Sequence, residues 1–556
     1  MNNDKNFLGT QPVGKLLLSL ALPTVTAQII HRLYNLVDRI YIGHIPKAGA
    51  LALTGVGVCM PLILIVAAFA ALVGNGGAPR ASIFMGKGDS QTAEKILGNC
   101  FFAQILVSVI LTAVLLIWNR NFLMTFGASE NTIEYAVSYM NIYALGTIFV
   151  QLTLGMNMFI TAQGFAKTGM LSVLIGAVSN IILDPIFIFG FQMGVKGAAL
   201  ATIISQALSC VWVLLFLFGK KTTLRIRRKN MALKPGIILP CLALGSSVFV
   251  MQSSESIISV CFNSSLLKYG GDIAVGAMTI LTSVMQFAML PLQGLGQGAQ
   301  PIISYNYGAR NVERVKAAFS LLLKVSLAYA VILWGCVMLF PQVFAGMFTS
   351  DAKLLAFSQT ALRIYVAALF LFGIQLACQM TFMSIGNAKA SIIVAVMRKF
   401  VLLIPLIYIM PQIMKNDKTM AVYMAVNVGI FRYPYPFFSP DSENTHHYNV
   451  FIASVNKRTK GHIVNSSSVY ISFPMKLLIL EHRKYIGACQ KEILYQFRVL
   501  CFDINIQLPK LIHIKGKHIQ IYGGALYLFL IHTFCNKVFQ GRHIHAALSD
   551  IIHHIL

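Results

Sequence analysis

The feature that most restricts the fold is a series of eleven apolar stretches, each long enough to cross a bilayer as a helix. Hydrophobic residues make up 57% of the 556-residue chain and charged residues only 11%, which is more apolar surface than a soluble chain of this size can bury. The sequence therefore predicts an all-α polytopic membrane protein. The stretches lie at about 14–40, 53–78, 95–118, 135–160, 168–190, 194–218, 236–262, 273–298, 317–340, 358–384 and 390–413.

A repeat with a constant offset of 222 residues divides these stretches into two sets. The segment 74–86 (GNGGAPRASIFMG) matches 296–308 (GQGAQPIISYNYG), and the same offset pairs Gly164 with Gly386. An even number of spans in each repeat gives both repeats the same orientation in the membrane. The repeat predicts two parallel six-helix lobes, related by an axis along the membrane normal, with binding at their interface.

The repeat also sets the predicted domains, which are a first lobe at 1–219, a connector at 220–236, an incomplete second lobe at 237–425 and a tail at 426–556. The connector (KKTTLRIRRKNMALKPG) carries seven Lys and Arg residues and no acid. Such basic loops collect on the cytoplasmic side, so we expect a multi-pass protein of the cell membrane with a cytoplasmic N-terminus. Insertion in the bilayer accounts for much of the formal net charge of +26, and no nucleic-acid partner is predicted.

The tail departs from the pattern at the position of the expected twelfth span. The apolar run ends around Asn427, Arg432 and three prolines follow by Pro440, and eleven of the 13 histidines lie after residue 445. Three interpretations stay open: a shifted reading frame after about residue 425, an appended basic domain, and a degenerate twelfth span placed late. We therefore expect the twelfth helix to be lost or replaced, and the tail to be non-homologous and possibly disordered.

Two acids interrupt apolar stretches of the first lobe. Asp184 follows Asn180 by four residues, so the two side chains share a helix face. A charged group at the bilayer centre costs about 2.5–3.5 kcal/mol on insertion scales, and such acids usually mark an ion or proton path. The alternative for Asp184 is a turn acid before Pro185 at the membrane edge. For Asp38, the alternative is a local charge cluster with its neighbour Arg39.

Four segments together resemble a known family. LALPTVTAQIIHRLYNLVDRIYIGHI, PRASIFMGKGD, SNIILDPIFI and QGLGQGAQPIISYNYGARN are similar to sequences of the multidrug and toxic compound extrusion (MATE) family of antiporters. The resemblance covers about residues 8–425. It implies twelve helices in two lobes and the export of bulky, often cationic organic drugs in exchange for inward Na⁺ or H⁺. We expect a monomer without a cofactor, and the chain carries none of the enzyme motifs HExxH, a nucleophile elbow or a phosphate-binding Gly-Lys.

The resemblance places a cation site in the first lobe, on Asp38, Asn180, Asp184, Thr202 and Asn157. At about 1.5 Å per residue, the first four reach the outer half of the membrane, whereas Asn157 falls towards the cytoplasmic side. Carboxylate, amide and hydroxyl oxygens are hard ligands that suit Na⁺, and desolvated carboxylates could instead hold a proton. The sequence does not choose between the two ions.

Two further residues receive functional hypotheses. Glu255 is the only acid deep in a span of the second lobe, where it could attract a cationic substrate or bind a second cation; hydrogen bonds to neighbouring serines are the alternative. Pro23 lies inside the first span and removes one backbone hydrogen bond there. It is either a hinge that moves when Asp38 and Asp184 exchange their cation or a static kink.

Other functions remain possible from the sequence. A lipid-linked saccharide flippase of similar architecture would use basic residues within the lobes, for which Lys324, Arg398 and Lys399 are candidates. Their alternative role is structural pairing or reaching to the membrane surface. A chain whose twelfth helix is missing could also be a non-functional product.

Overall fold

Sixteen α-helices make up the described part of one compact unit, Met1–Arg458. The computed structural model describes residues 6–46, 48–349, 351–414, 417–431, 511–514 and 517–520. A 3-10 turn lies at Arg228–Asn230, and π-helical stretches lie at Ile186–Gly190 and Met397–Leu403. The helices are α1 (Phe7–Thr10), α2 (Val13–Gly43), α3 (Gly49–Gly86), α4 (Ser90–Thr125), α5 (Ile133–Leu145), α6 (Thr147–Ala162), α7 (Ala166–Pro185), α8 (Val195–Phe218), α9 (Pro235–Gly308), α10 (Val312–Leu339), α11 (Pro341–Gly346), α12 (Ala352–Tyr365), α13 (Leu369–Ser384), α14 (Ala388–Val396), α15 (Ile404–Ile413) and α16 (Lys418–Phe431).

The membrane spans match the predicted apolar stretches. Among the described residues, eight helices are long and apolar enough to cross a bilayer. The pairs α5–α6 and α12–α13, bent by 58° and 48°, add one span each. The 74-residue α9 is broken at Gly271, whose φ of 64° and ψ of −161° are not helical, so it holds two of the predicted stretches. The prediction of an all-α polytopic membrane protein is confirmed.

The repeat is visible in the ends of the helices. α3 ends at Gly86 and α9 ends at Gly308, which are 222 residues apart. The second halves of the bent spans, Thr147–Ala162 and Leu369–Ser384, are related by the same offset at both ends. Helix boundaries that recur at one constant offset indicate that the two lobes share one architecture.

Helix caps are repeated as well. Asp89 Oδ1 accepts a hydrogen bond of 2.9 Å from the amide of Thr92 at the start of α4. At the start of α10, Asn311 Oδ1 accepts the equivalent bond of 3.3 Å from the amide of Arg314. A short side-chain oxygen at this position satisfies an amide that has no partner within the helix. The two sequences differ at the cap, and the chemistry is the same.

Glycines bring α3 of the first lobe against α9 of the second. A Cβ atom built on Gly86 would lie 1.9 Å from the carbonyl oxygen of Tyr305, and one built on Gly308 would lie 1.9 Å from that of Ile83. These two contacts are related by the repeat. A Cβ on Gly76 would lie 1.9 Å from the carbonyl oxygen of Cys241. Backbones approach this closely only where no side chain intervenes, as at small-residue contacts between membrane helices.

The basic connector is bound to the first lobe by specific contacts. Gln163 Oε1 accepts hydrogen bonds from Thr222 Oγ1 at 2.8 Å and from the amide of Leu224 at 2.7 Å. Arg227 forms an ion pair with Glu94 at 2.7 Å. The connector therefore holds a fixed position at the end of the bundle where α6 ends and α4 begins, which we call the connector end.

A short helix stands at the expected twelfth position. α16 has 14 residues, fewer than the roughly 20 that cross a bilayer. It packs into the second lobe, where Asn427 Oδ1 accepts a 2.9 Å hydrogen bond from the amide of Ala368 and Asn427 Nδ2 donates to the carbonyl of Ile364. These are backbone groups at the bend between α12 and α13. The start of the twelfth helix is thus retained and satisfies the broken span beside it.

The second compact unit, Thr459–Leu556, contains one described element. Strands β1 (Leu511–Ile514) and β2 (Lys517–Gln520) pair antiparallel, with Leu511 opposite Gln520. The rest of the predicted tail after Phe431 lies outside the described residues, so the three interpretations of its origin stay predictions.

Candidate functional site

The site is built on α7, where an acid and an amide share one face. Asn180 Nδ2 donates a hydrogen bond of 3.1 Å to Asp184 Oδ1. Asp184 is 0% exposed and Asn180 2% exposed, which places the acid inside the helix bundle. Pro185 follows and has no amide hydrogen to continue the helical ladder. The backbone then becomes π-helical over Ile186–Gly190, a geometry common at functional sites.

The second acid reaches this site from α2. Asp38 is 7% exposed, and its carboxyl group lies within side-chain hydrogen-bonding range of the Asp184 carboxyl group. Arg39 is exposed and its positive charge acts on Asp38. Two carboxylates that face each other at this range repel one another unless a cation or a proton lies between them.

Three oxygen atoms of this cluster have no donor. Asp38 Oδ1, Asn180 Oδ1 and Asp184 Oδ2 are buried and accept no hydrogen bond from the described residues. A buried oxygen without a partner is costly, more so when it carries charge. Two carboxylates and an amide oxygen form a hard-oxygen donor set that fits a Na⁺ ion, and the paired carboxylates equally fit a shared proton.

Tyrosines connect Thr202 to the acids. Tyr139 of α5 is 3% exposed and forms a side-chain hydrogen bond with Thr202 of α8. Tyr139 and Tyr34 both lie close enough to Asp38 for their charges to interact. Sequence reasoning missed both tyrosines. Tyr34 precedes Asp38 by four residues and so shares its helix face, which is a signal that could have identified it; Tyr139 carries no such signal.

Asn157 lies away from the acids. Its Nδ2 atom donates a 3.2 Å hydrogen bond to the carbonyl of Gly169, near the start of α7. Gly169 and Asp184 are fifteen residues apart in α7, which is about 22 Å along a helix. The structure thus brings Asp38, Asn180 and Asp184 together, with Thr202 joined through Tyr139, and leaves Asn157 at the connector end.

Glu255 has a basic partner from another helix. Glu255 Oε1 accepts a hydrogen bond from the ammonium group of Lys399, and that ammonium group also donates to the carbonyl of Met251 at 2.7 Å. The neighbouring Ser254 donates to the same carbonyl at 2.9 Å. The second-lobe acid is therefore part of an ion pair across two helices.

The other basic candidates differ in their surroundings. Arg398 Nη1 donates to Gln375 Oε1 at 2.7 Å, and its guanidinium lies 5.1 Å from the ring centroid of Phe372. Lys324 is exposed on α10. Arg398 is thus held by polar and aromatic contacts inside the second lobe, and Lys324 lies on the outside of its helix.

Pro23 lies where α2 contacts the second lobe. The proline is buried within α2, and Thr24 Oγ1 donates a 2.7 Å hydrogen bond to the carbonyl of Gly294. One turn further, Gln28 Nε2 donates to Gln297 Oε1 at 3.1 Å. α2 therefore carries Asp38 near its end and is attached to α9 of the second lobe near its middle.

The repeat shows that the acidic cluster belongs to the first lobe alone. The positions equivalent to its members, 222 residues later, are apolar. They are Val260 for Asp38, Leu402 for Asn180, Leu406 for Asp184 and Met424 for Thr202. The second lobe cannot form the same oxygen site, whatever role Glu255 has.

Comparison with known proteins agrees with this architecture. The chain is 23% identical over 398 residues to the multidrug export protein MepA of Staphylococcus haemolyticus, which covers 72% of this chain and 87% of that protein. The structure resembles a MOP superfamily transporter from Pyrococcus furiosus, with a TM-score of 0.71, 24% identity and coverage of 77% of this chain and 95% of the other. A MATE crystal structure in the bent conformation gives a TM-score of 0.72 with 24% identity, over 77% of this chain and 94% of the other.

The family model adds the decisive match. The model named MatE matches residues 23–186 and 247–409, which together are more than half of the chain. Its two matched segments fall one in each lobe, as the repeat requires. The chain therefore belongs to the MatE family, the multidrug and toxic compound extrusion transporters.

Proposed function

We propose that the chain is a secondary active antiporter that exports bulky organic compounds, organic cations among them, in exchange for inward Na⁺ or H⁺. The observation that carries the proposal is the cluster of three buried oxygens without donors on Asp38, Asn180 and Asp184. A cation or proton in this cluster offsets the repulsion between the two carboxylates. No cofactor is needed for this function, and one protomer contains both lobes.

The proposed coupling runs through α2. Binding of the ion draws Asp38 of α2 towards Asp184 of α7, and release of the ion lets the two acids move apart. Because Thr24 and Gln28 attach α2 to the second lobe, a shift of α2 changes how the lobes fit together. The ion then favours the conformation that releases the exported compound outside. In this scheme Pro23 is the hinge of α2.

The basic connector supports the orientation in this scheme. Its seven Lys and Arg residues favour the cytoplasmic side by the positive-inside rule, which puts the N-terminus there. The Asp38–Asp184 cluster then lies in the outer half of the membrane, since Asp184 is eighteen residues, or about 27 Å, from the connector-end start of α7. Ions would reach it from outside and leave towards the cytoplasm.

The test is export of ethidium, an organic cation, by cells that express each variant. Asp184→Asn keeps the size and the hydrogen-bonding atoms of the side chain but removes its charge, and we expect it to abolish export that depends on the ion gradient. The matched control is Glu134→Gln, which neutralises an acid in an exposed ion pair with Arg120. Export by Asp184→Asn at the wild-type rate, with equal expression, would overturn the proposal.

A further inference from the structure

A second polar cluster lies inside the second lobe. The Lys399 ammonium group is bound to Glu255 Oε1 and to the carbonyl of Met251. Next to it, Gln375 Nε2 donates a 3.0 Å hydrogen bond to Gln379 Oε1, and Gln379 Nε2 contacts the Met251 sulfur at 2.6 Å. Three helices, α9, α13 and the π-helical stretch after α14, thus contribute to one connected set of polar groups.

The two charges of this cluster differ sharply in exposure. The Lys399 side chain is 4% exposed and the Glu255 side chain 65% exposed. A lysine is rarely buried to this degree unless it is paired, so the ammonium group is fixed in place behind the carboxylate. The carboxylate, in contrast, keeps most of its surface open.

The open carboxylate lies on a helix at the boundary between the lobes. Six residues before Glu255, the ring of Phe249 packs edge-on against Phe69 of the first lobe, with centroids 5.0 Å apart. The first lobe has no equivalent pair, since the repeat places Leu33 and Ala177 at the positions of Glu255 and Lys399. The ion pair is therefore a feature that the second lobe alone carries.

We propose that the Glu255–Lys399 pair sets the charge selectivity of a substrate-binding site in the second lobe, for amphipathic organic ligands that are neutral, zwitterionic or weakly charged. The inference rests on the proposed export function and specifies its substrates. An isolated Glu255 would select cations, and an isolated Lys399 would select anions. Because Lys399 is held against Glu255, the pair has no net charge and neither sign is strongly preferred. Gln375 and Gln379 beside the pair offer hydrogen bonds to polar groups of such ligands.

The test uses two probes of the same shape and opposite charge, tetraphenylphosphonium and tetraphenylborate, bound to the purified full-length protein. The measured quantity is the ratio of their dissociation constants. We expect Lys399→Met to shift the ratio towards the phosphonium, and Glu255→Gln to shift it towards the borate, each by at least about tenfold for a single unscreened charge close to the ligand. The double variant Glu255→Gln/Lys399→Met, again neutral, should return close to the wild-type ratio.

Matched controls separate charge selection from a structural role. Lys324→Met removes a lysine that is exposed on α10 and should leave the ratio unchanged. If Lys399→Met does not fold, Lys399→Gln and the independent Glu255→Gln variant still give the comparison. A ratio that stays at the wild-type value in both the Lys399 and the Glu255 variants overturns the inference. The binding assay needs no ion gradient, so its failure is distinguishable from failure of the export test on Asp184.

Discussion

Closure of the two lobes against each other depends on the repeated glycines Gly86 and Gly308. A Cβ at either position would lie 1.9 Å from a backbone oxygen of the opposite lobe, and real Cβ atoms essentially never approach another atom closer than 3.0 Å. The backbones must therefore separate by about 1 Å to admit an alanine, at a cost of about 1–3 kcal/mol for overpacking. We expect Gly86→Ala or Gly308→Ala to lower the closed population about 5- to 150-fold, since about 1.4 kcal/mol is a factor of ten.

Native cysteines report this opening without further substitution. Cys241 is 0% exposed, and its carbonyl oxygen meets Gly76, ten residues, or about 15 Å, from Gly86 along α3. Alkylation of Cys241 by N-ethylmaleimide, measured by mass spectrometry against the exposed Cys336, should rise in both glycine variants. Cys59 is buried within the first lobe and bonds to its backbone, so it should stay protected unless the protein unfolds.

Gly57→Ala is the matched control for the glycine variants. Gly57 lies in α3 as well, and a Cβ there meets nothing within 4 Å. Alanine at that position should leave Cys241 as protected as in the wild type. Equal alkylation of Cys241 in Gly86→Ala and Gly57→Ala would refute the reasoning, because the close glycine contact would then not limit closure.

Three further predictions concern single side chains. Pro23→Ala should slow export and change its ion dependence; unchanged transport would rule out the hinge. Gln163→Ala removes the acceptor of two connector donors and should cost about 1–3 kcal/mol for each one left buried and unpaired, lowering the thermal transition, while Gln163→Glu keeps that acceptor and should lose less; equal losses would contradict this. Asn427→Ala should destabilise the second lobe by exposing the amide of Ala368 to apolar surroundings, and an unchanged melting temperature would show that α16 does not support the bend.

The spans and the repeat could be predicted because both are written in local sequence. Apolar length identifies a span, and a constant offset identifies a duplicated lobe. The pairing of Asn180 with Asp184 likewise follows from their spacing in one helix. The approach of Asp38 to Asp184 came from the family resemblance and from depth along two helices, which is less direct.

Contacts between distant segments were not predictable in the same way. Glu255 and Lys399 are 144 residues apart, and no local pattern indicates that one neutralises the other. Tyr139 reaches the acidic site only because α5 bends into α6, and an apolar stretch gives no sign of such a bend. The role of Asn427 at the α12–α13 bend was also hidden, because the sequence around it resembles the end of a span rather than part of one.

The most direct test of the account is coupled movement of drug and ion in liposomes that contain the purified protein. An imposed ethidium gradient should drive countermovement of either ²²Na⁺ or protons, followed with a trapped pH dye, through the wild-type protein. Asp38→Asn and Asp184→Asn should abolish that ion movement, and Glu134→Gln should retain it. Ethidium transport without movement of either ion, or undiminished ion movement in Asp184→Asn, would contradict the assignment of Asp38 and Asp184 as the coupling site.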